Sequence, residues 1–336
     1  MHRITLFLTL AAASLWAQSP SYRIVHRYLL GGDGSWDYVV PDPPNHRVFL
    51  ARQNRLMVVD ERSGKLLGEV TGIDGAHGTA VAQKTGHGFA TEGQGQSVAI
   101  FDLKTYKVLS HTPAAEDADA ILYDPASNRV FTLNGDAHSS TVIDPETGKR
   151  ITNVPLGGKP EYGVSAGDGK VYANLTDISE VVEIDAKSLT VTRRWPTAPC
   201  KQPVSMAIDT EHHRLFSGCR SGLMAVSDYE AGKIVATIPI GPGVDGAGFD
   251  PSTGDAFAST TDGKLTVIHQ DSPDQYHIVQ QVATPERSKN MGLDPLTHQI
   301  FLSSAKFGPP AKGERRPPVL PGTFTLLVIE REPSAH

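Results

Sequence analysis

Six ionisable residues stand about one repeat apart along this 336-residue chain: Asp37, His77, Asp119, Glu161, Asp245 and Lys289. Each lies twelve residues ahead of an aromatic residue, Glu161 after allowance for one missing position. Repeat five places Val204, next to Gln202, at the same point. Oxygen and imidazole donors meeting on a narrow axis could hold a divalent cation: Ca²⁺ through carboxylates, or Zn²⁺ with histidine. Asp37, His77, Asp119 and Glu161 would form that metal set. The same groups could bind a small ligand, or could form a wet polar opening that needs no ligand. Unpaired, the carboxylates would raise one another's pKa values.

The aromatic residues that set this count recur with a regular spacing. Val48-Phe49, Gly88-Phe89, Val130-Phe131, Val171-Tyr172, Leu215-Phe216, Ala256-Phe257 and Ile300-Phe301 follow at intervals of 40, 42, 41, 44, 41 and 44 residues. A polar column keeps step with them, at Asp60, Asp102, Asp144, Asp185, Asp228, His269 and Glu330. A period near 40 made of short alternating strands and turn signals defines an all-β, seven-bladed β-propeller of four-stranded antiparallel blades. No stretch sustains a helical period, so almost no helix is expected.

Repeat three shows the unit. Ala120–Tyr123 is the inner strand, Asp124–Asn128 a proline-set turn, Arg129–Leu133 the second strand, Ser140–Asp144 the third and Lys149–Leu156 the outer strand. The chain ends six residues past the third strand of repeat seven, so that blade lacks its outer strand. Tyr22–Gly32 matches the outer-strand pattern Arg150–Gly158, including its Gly-Gly exit. The N-terminal strand should therefore close the ring and remove its open edge. In this arrangement the six residues face one mouth of the channel. Loops between second and third strands add Arg52, Glu92, His138, Arg220 and Asp262, with Trp36, Tyr38 and Tyr162 flanking.

Residues 1–19 read as a cleaved export signal: His2-Arg3, an apolar run from Ile4 to Ala13 and small residues around Ala17. The run is shorter than the roughly 20 residues a membrane span needs. Residues 20–336 form one propeller, and a periplasmic or secreted monomer without a membrane span is expected. The net charge of −6 comes from 31 basic and 37 acidic residues, which disfavours a reader of nucleic-acid phosphates. The two cysteines, Cys200 and Cys219, flank one hairpin. Pairing Asp209 with Arg214 puts Cys219 opposite Val204 and near Cys200, so an exported chain would form a disulfide there. Two buried free thiols are the alternative.

The Asp-Pro-x-x-x-Arg-Val-Phe hairpin, the Val-Ile-Asp-x-x-Thr-Gly-Lys turn and the Pro-Leu-Gly-Gly exit resemble the 40-residue YVTN-type repeat. From Tyr22 to Glu330 the chain resembles the YncE-like exported seven-bladed propellers. That resemblance implies an envelope location and little chemistry, since the repeat rather than a catalytic motif defines the family. Some seven-bladed relatives process lactones. The chain holds no Gly-x-Ser-x-Gly elbow, phosphate-binding loop or His-Glu-x-x-His motif. Glu211-His212-His213 falls on a hairpin tip, and Asn174-Leu175-Thr176 is a glycosylation sequon. Residues 306–322 form a proline-rich insertion with no strand pattern, whose Lys312, Arg315 and Arg316 could reach the mouth. The leading expectation is a non-catalytic propeller that binds a small ligand or an envelope protein through Asp37, His77, Asp119, Glu161, Asp245, Lys289, Arg52, His138 and Arg220. A metal-assisted hydrolase or lactonase is the alternative, and nucleic-acid binding a minor one.

Overall fold

The computed structural model describes residues 21–310 and 317–332, so the leader, the centre of the insertion and the last four residues lie outside it. The described chain is a seven-bladed β-propeller. Seven separate four-stranded antiparallel sheets follow one another, and the only helical element among the described residues is one 3-10 turn at Pro43–Asn45. No helix among the described residues is long and apolar enough to cross a membrane.

The aromatic column forms the cement between blades. Phe49, Phe89, Phe131, Tyr172, Phe216, Phe257 and Phe301 sit on the second strands with 0–1 % of their surface exposed. A pleated strand turns alternate side chains to opposite faces, so one aromatic per strand reaches the neighbouring sheet. Truncating any one to alanine costs about 3–5 kcal/mol in such packing. The polar column does a different task. Asp60, Asp102, Asp144, Asp185 and Asp228 accept backbone N–H groups three residues on, at 2.6–3.1 Å, and thereby shape the turn into the outer strand. Gly64, Gly148 and Gly232 supply the left-handed residue of that turn, but blades 2 and 4 use Tyr106 and Leu189 at φ 61° and 57°. Glycine is thus favoured in this turn and not required by it.

Closure follows the expected route. Strand Tyr22–Leu29 pairs antiparallel with Thr325–Arg331, so the last blade takes three strands from the C-terminal end and one from the N-terminal end. Tyr22 carries the seam into blade 6: its hydroxyl donates to Asp255 at 2.6 Å, and its ring meets Phe257 edge-on at 5.3 Å.

Blade 5 holds the Cys200–Cys219 disulfide, with the two Cα atoms 5.8 Å apart. Asp209 does pair with Arg214, but a bulge between Pro203 and Ser205 moves Cys219 opposite Pro203 instead of Val204. The sequon is not a surface feature: Asn174 is fully buried, donates to the Ser205 carbonyl and accepts from Ser217 Oγ. Glu211–His213 does form the hairpin tip, where His212 bonds Asp209.

The seam generates a test. Deleting residues 20–29 should give insoluble protein, because two strand edges are exposed at once. Tyr22→Phe is the milder probe. It leaves buried Asp255 short of one donor and should cost about 1–3 kcal/mol in urea unfolding. An unchanged midpoint in both variants would show that the ring closes elsewhere.

Candidate functional site

Five blades start their inner strands with a β-bulge at the channel mouth, and the predicted mouth residues are the bulged ones. Register slips between Ala76 and Thr79, Ala118 and Ile121, Pro160 and Gly163, Pro203 and Ser205, and Val244 and Gly246. His77, Asp119, Glu161, Val204 and Asp245 fall inside these slips. A bulge adds a residue that the ladder does not pair and re-aims its side chain. Here that device turns one residue per blade toward the axis. Blades 1 and 7 lack the bulge. Their inner strands, Val39–Asp42 and Met291–Asp294, are four residues long, and Asp37, Lys289 and Asn290 stand on loops instead.

Around the ring, blades 1 to 7 contribute Asp37, His77, Asp119, Glu161, Arg220, Asp245 and Lys289. Blade 5 offers only apolar Val204 from its inner strand, and Arg220 from its next loop fills the gap. Opposite charges are matched internally. The His77 imidazole donates from Nδ1 to Asp37 at 2.6 Å and stands 3.3 Å from Asp119. Arg220 pairs with Glu161 at 3.0 Å, and Lys289 pairs with Asp245. Asn290 donates to both Asp37 and Asp245, at 3.3 and 3.0 Å, and so ties blade 7 to blades 1 and 6. Ionised throughout, the ring would carry four negative and three positive charges. It is a charge-alternating mouth rather than an acidic one.

Burial sets the titration. The hydrogen bond to Asp37 raises His77 to about 9, against the opposing effect of burial and with help from Asp119. Burial, then the neighbouring Asp37, pushes Asp119 well above the usual carboxylate range. Glu161 and Asp245 are raised chiefly by burial, with Arg220 and Lys289 pulling the other way. Below the ring, Tyr38 reaches across the channel and donates to the Glu161 carbonyl at 3.2 Å. Its ring lies 5.4 Å from Tyr162, and the pair floors the mouth. Beneath them Val40, Val164, Ile208, Ala247 and Leu293 line an apolar cavity of about 270 Å³.

Four predicted residues do not join the ring. Arg52 is 1 % exposed and is spent on backbone: its guanidinium donates to the carbonyls of residues 31–35 at 3.0–3.4 Å and lies 3.8 Å above the Phe324 ring. Burial lowers its pKa to about 10. It positions the loop that carries Trp36 and Asp37 instead of meeting a ligand. His138 is exposed on its loop, outside the group formed by Asp37, His77 and Asp119. Glu92 and Asp262 are likewise engaged locally, with Ser97 and His111 and with Thr260 and Lys264. Asn290, a neighbour of Lys289, was missed because an amide carries no charge to stand out in a repeat count.

The insertion has more order than its composition suggests. Phe307 and Val319 form an antiparallel bridge, Gly308 N–H bonds Pro318 O, and Leu320 N–H bonds Lys306 O. Pro318 falls where the ribbon needs an acceptor rather than a donor, so the arms pair there despite it. Lys312, Arg315 and Arg316 lie outside the described residues.

Asp37, His77 and Asp119 place one ligand atom each within 4.8 Å of one another, a spacing that a cation could bridge. Asp119 Oδ1 is buried and accepts no hydrogen bond among the described residues. These residues fit a divalent ion in type and distance, while His77 already supplies a counter-charge. No protein-family model matches the chain, and no curated protein matches it in sequence.

A group whose folded pKa is raised stabilises the fold fully below its unfolded pKa and loses that contribution as pH rises through the folded value. For His77 the window is 6.5 to about 9. After allowance for its exposure and screening, the effect is about 1 kcal/mol. The thermal midpoint should fall across this window, and His77→Gln should flatten the fall. An identical profile in the variant would refute the ion-pair assignment.

Proposed function

We propose that the protein is an exported, non-catalytic binding propeller of the cell envelope that holds a small ligand at this mouth. The observation that carries the reading is the asymmetry of the ring. Five blades present bulged, rigid strand starts, whereas blades 1 and 7 present loops, 31–37 and 284–290, beside the ribbon of the insertion. Binding groups borne on loops over a rigid β scaffold can vary without disturbing the core. The side chains at the mouth are held in mutual ion pairs, so a ligand meets groups already in place. The leader pattern, the disulfide and the resemblance to YncE-like propellers support an envelope setting.

One observation favours a second reading, a metal-assisted hydrolase or lactonase. Asp37, His77 and Asp119 could hold Zn²⁺ or Ca²⁺, which would supply a Lewis acid and an activated water. The ion would have to take the place of the imidazole proton between the two carboxylates.

Two measurements separate the readings. Native mass spectrometry of the chain isolated from its own host should show a small-molecule adduct that is lost in Lys289→Gln/Asn290→Ala, with metal substoichiometric by elemental analysis. One tightly bound equivalent of Zn²⁺ by calorimetry, abolished by Asp37→Asn/Asp119→Asn and accompanied by ester or lactone turnover, would overturn the binding reading in favour of the enzyme.

A further inference from the structure

Beside the ring, under the ribbon of blade 7, lies a cleft of about 380 Å³. We infer that it binds a small carboxylate with an apolar or aromatic body. The inference deepens the binding reading of this face and rests on it.

The apolar part of the cleft is built from Trp36, Phe307, Pro317 and Val319. Trp36 packs against Phe324 and Phe307, at ring separations of 5.4 and 6.0 Å, and the loop that carries it is clamped by Arg52. This wall is therefore fixed before a ligand arrives. The volume is at the small end for small-molecule sites.

The polar part has a consistent sign. Among the described residues Arg287 and Lys289 are its charged members, Ser35, Thr261 and Asn290 are neutral, and no carboxylate lines the cleft. That is unexpected for a chain of net charge −6 whose mouth, next door, is rich in acids. Lys289 is already paired with Asp245. Arg287 forms no ion pair or side-chain hydrogen bond with the described residues, and its guanidinium stands 5.5 Å from the centre of the Phe307 ring. Its backbone is left-handed, φ 66°, a conformation disfavoured for a residue with a β-carbon. Two bonds impose it: Arg287 N–H to the Thr261 carbonyl at 2.9 Å, and Ser288 N–H to the Pro285 carbonyl at 3.2 Å. An uncommitted cation held beside an apolar wall by fixed backbone is the pattern expected of a binding group.

One free guanidinium and one neutralised ammonium amount to about one unit of positive charge. The planar fork of arginine matches a carboxylate in two parallel hydrogen bonds. A monoanion fits this supply better than a doubly charged phosphate. A cation is disfavoured because Arg287 already covers Phe307, one of the two aromatic rings that could attract it.

The probe is 3-phenylpropionate, compared with its uncharged amide and with 3-phenylpropylamine, on the mature chain. Calorimetry reports affinity and tryptophan fluorescence reports contact with Trp36. The carboxylate should bind at least tenfold more tightly than the amide, and the amine should not compete. Arg287→Gln should weaken the carboxylate by about tenfold, the loss of one charge-assisted contact, with an unchanged thermal midpoint because the side chain is exposed. Trp36→Leu should weaken carboxylate and amide alike. If the amine or the amide binds as tightly as the carboxylate, or Arg287→Gln binds normally, the anion assignment is wrong. In that case a probe still lost on Lys289→Gln/Asn290→Ala leaves the binding reading standing. If none of the three binds and the native protein carries no adduct, both fall.

Discussion

The pairing of Tyr22–Leu29 with Thr325–Arg331 is the constraint on which the rest of the molecule depends. A single blade cannot bury both of its faces, so each aromatic of the column is buried only if the next blade is present. Closing the circle supplies the last missing neighbour. The site depends on the same seam, since Asn290 of blade 7 bonds Asp37 of blade 1 across 253 residues of sequence. Residues this far apart meet only because the ring returns to its start. Loss of the seam strand would therefore remove stability and site together, whereas a loop change at the mouth would remove only the site.

Electrostatics at the mouth follow from geometry in the same way. Bulges bring a charged residue from each of four blades to one axis, and loops add those of blades 1, 5 and 7, where the side chains are partly buried. Carboxylates gathered there would repel and be desolvated, and burial is the leading cause of the raised pKa values of Asp119, Glu161 and Asp245. The chain offsets this with cations of its own, His77, Arg220 and Lys289, each in contact with one or two of the acids. A ligand that enters the ring must exchange for one of these internal partners. The neighbouring cleft imposes no such exchange on an anion, because Arg287 has no partner to give up among the described residues.

Much of this was legible in the sequence because it repeats. An aromatic every 40 to 44 residues fixes the blade count, and counting back twelve finds Asp37, His77, Asp119, Asp245 and Lys289. What the count could not supply was direction. Arg52 stands one strand from the mouth, but nothing in its neighbours shows that five carbonyls of residues 31–35 will enclose it. Bulges are hard to place from a period-two pattern, since at the end of a short strand one extra residue leaves only a single break in the alternation. Hence the pairing of Asp209 with Arg214 was correct, while the partner of Cys219 was off by one. Proline content hid the ribbon at the base of the insertion, because only the pairing partners show that Pro318 sits where an acceptor and no N–H is needed.

The proposed site lies where the repeat fails. Blades 2 to 6 are interchangeable in outline, and a ring of seven such blades would have a symmetric mouth with no preferred side. Blade 1 loses regularity because Arg52 gathers the loop before its inner strand, and blade 7 loses it at residues 284–290 and again at the ribbon. At Arg287 the departure puts a residue with a β-carbon in the left-handed region. The common product of these departures is one cleft joined to the mouth through Lys289 and Asn290. The repeat builds the platform, and the breaks in the repeat at the seam build the proposed site upon it.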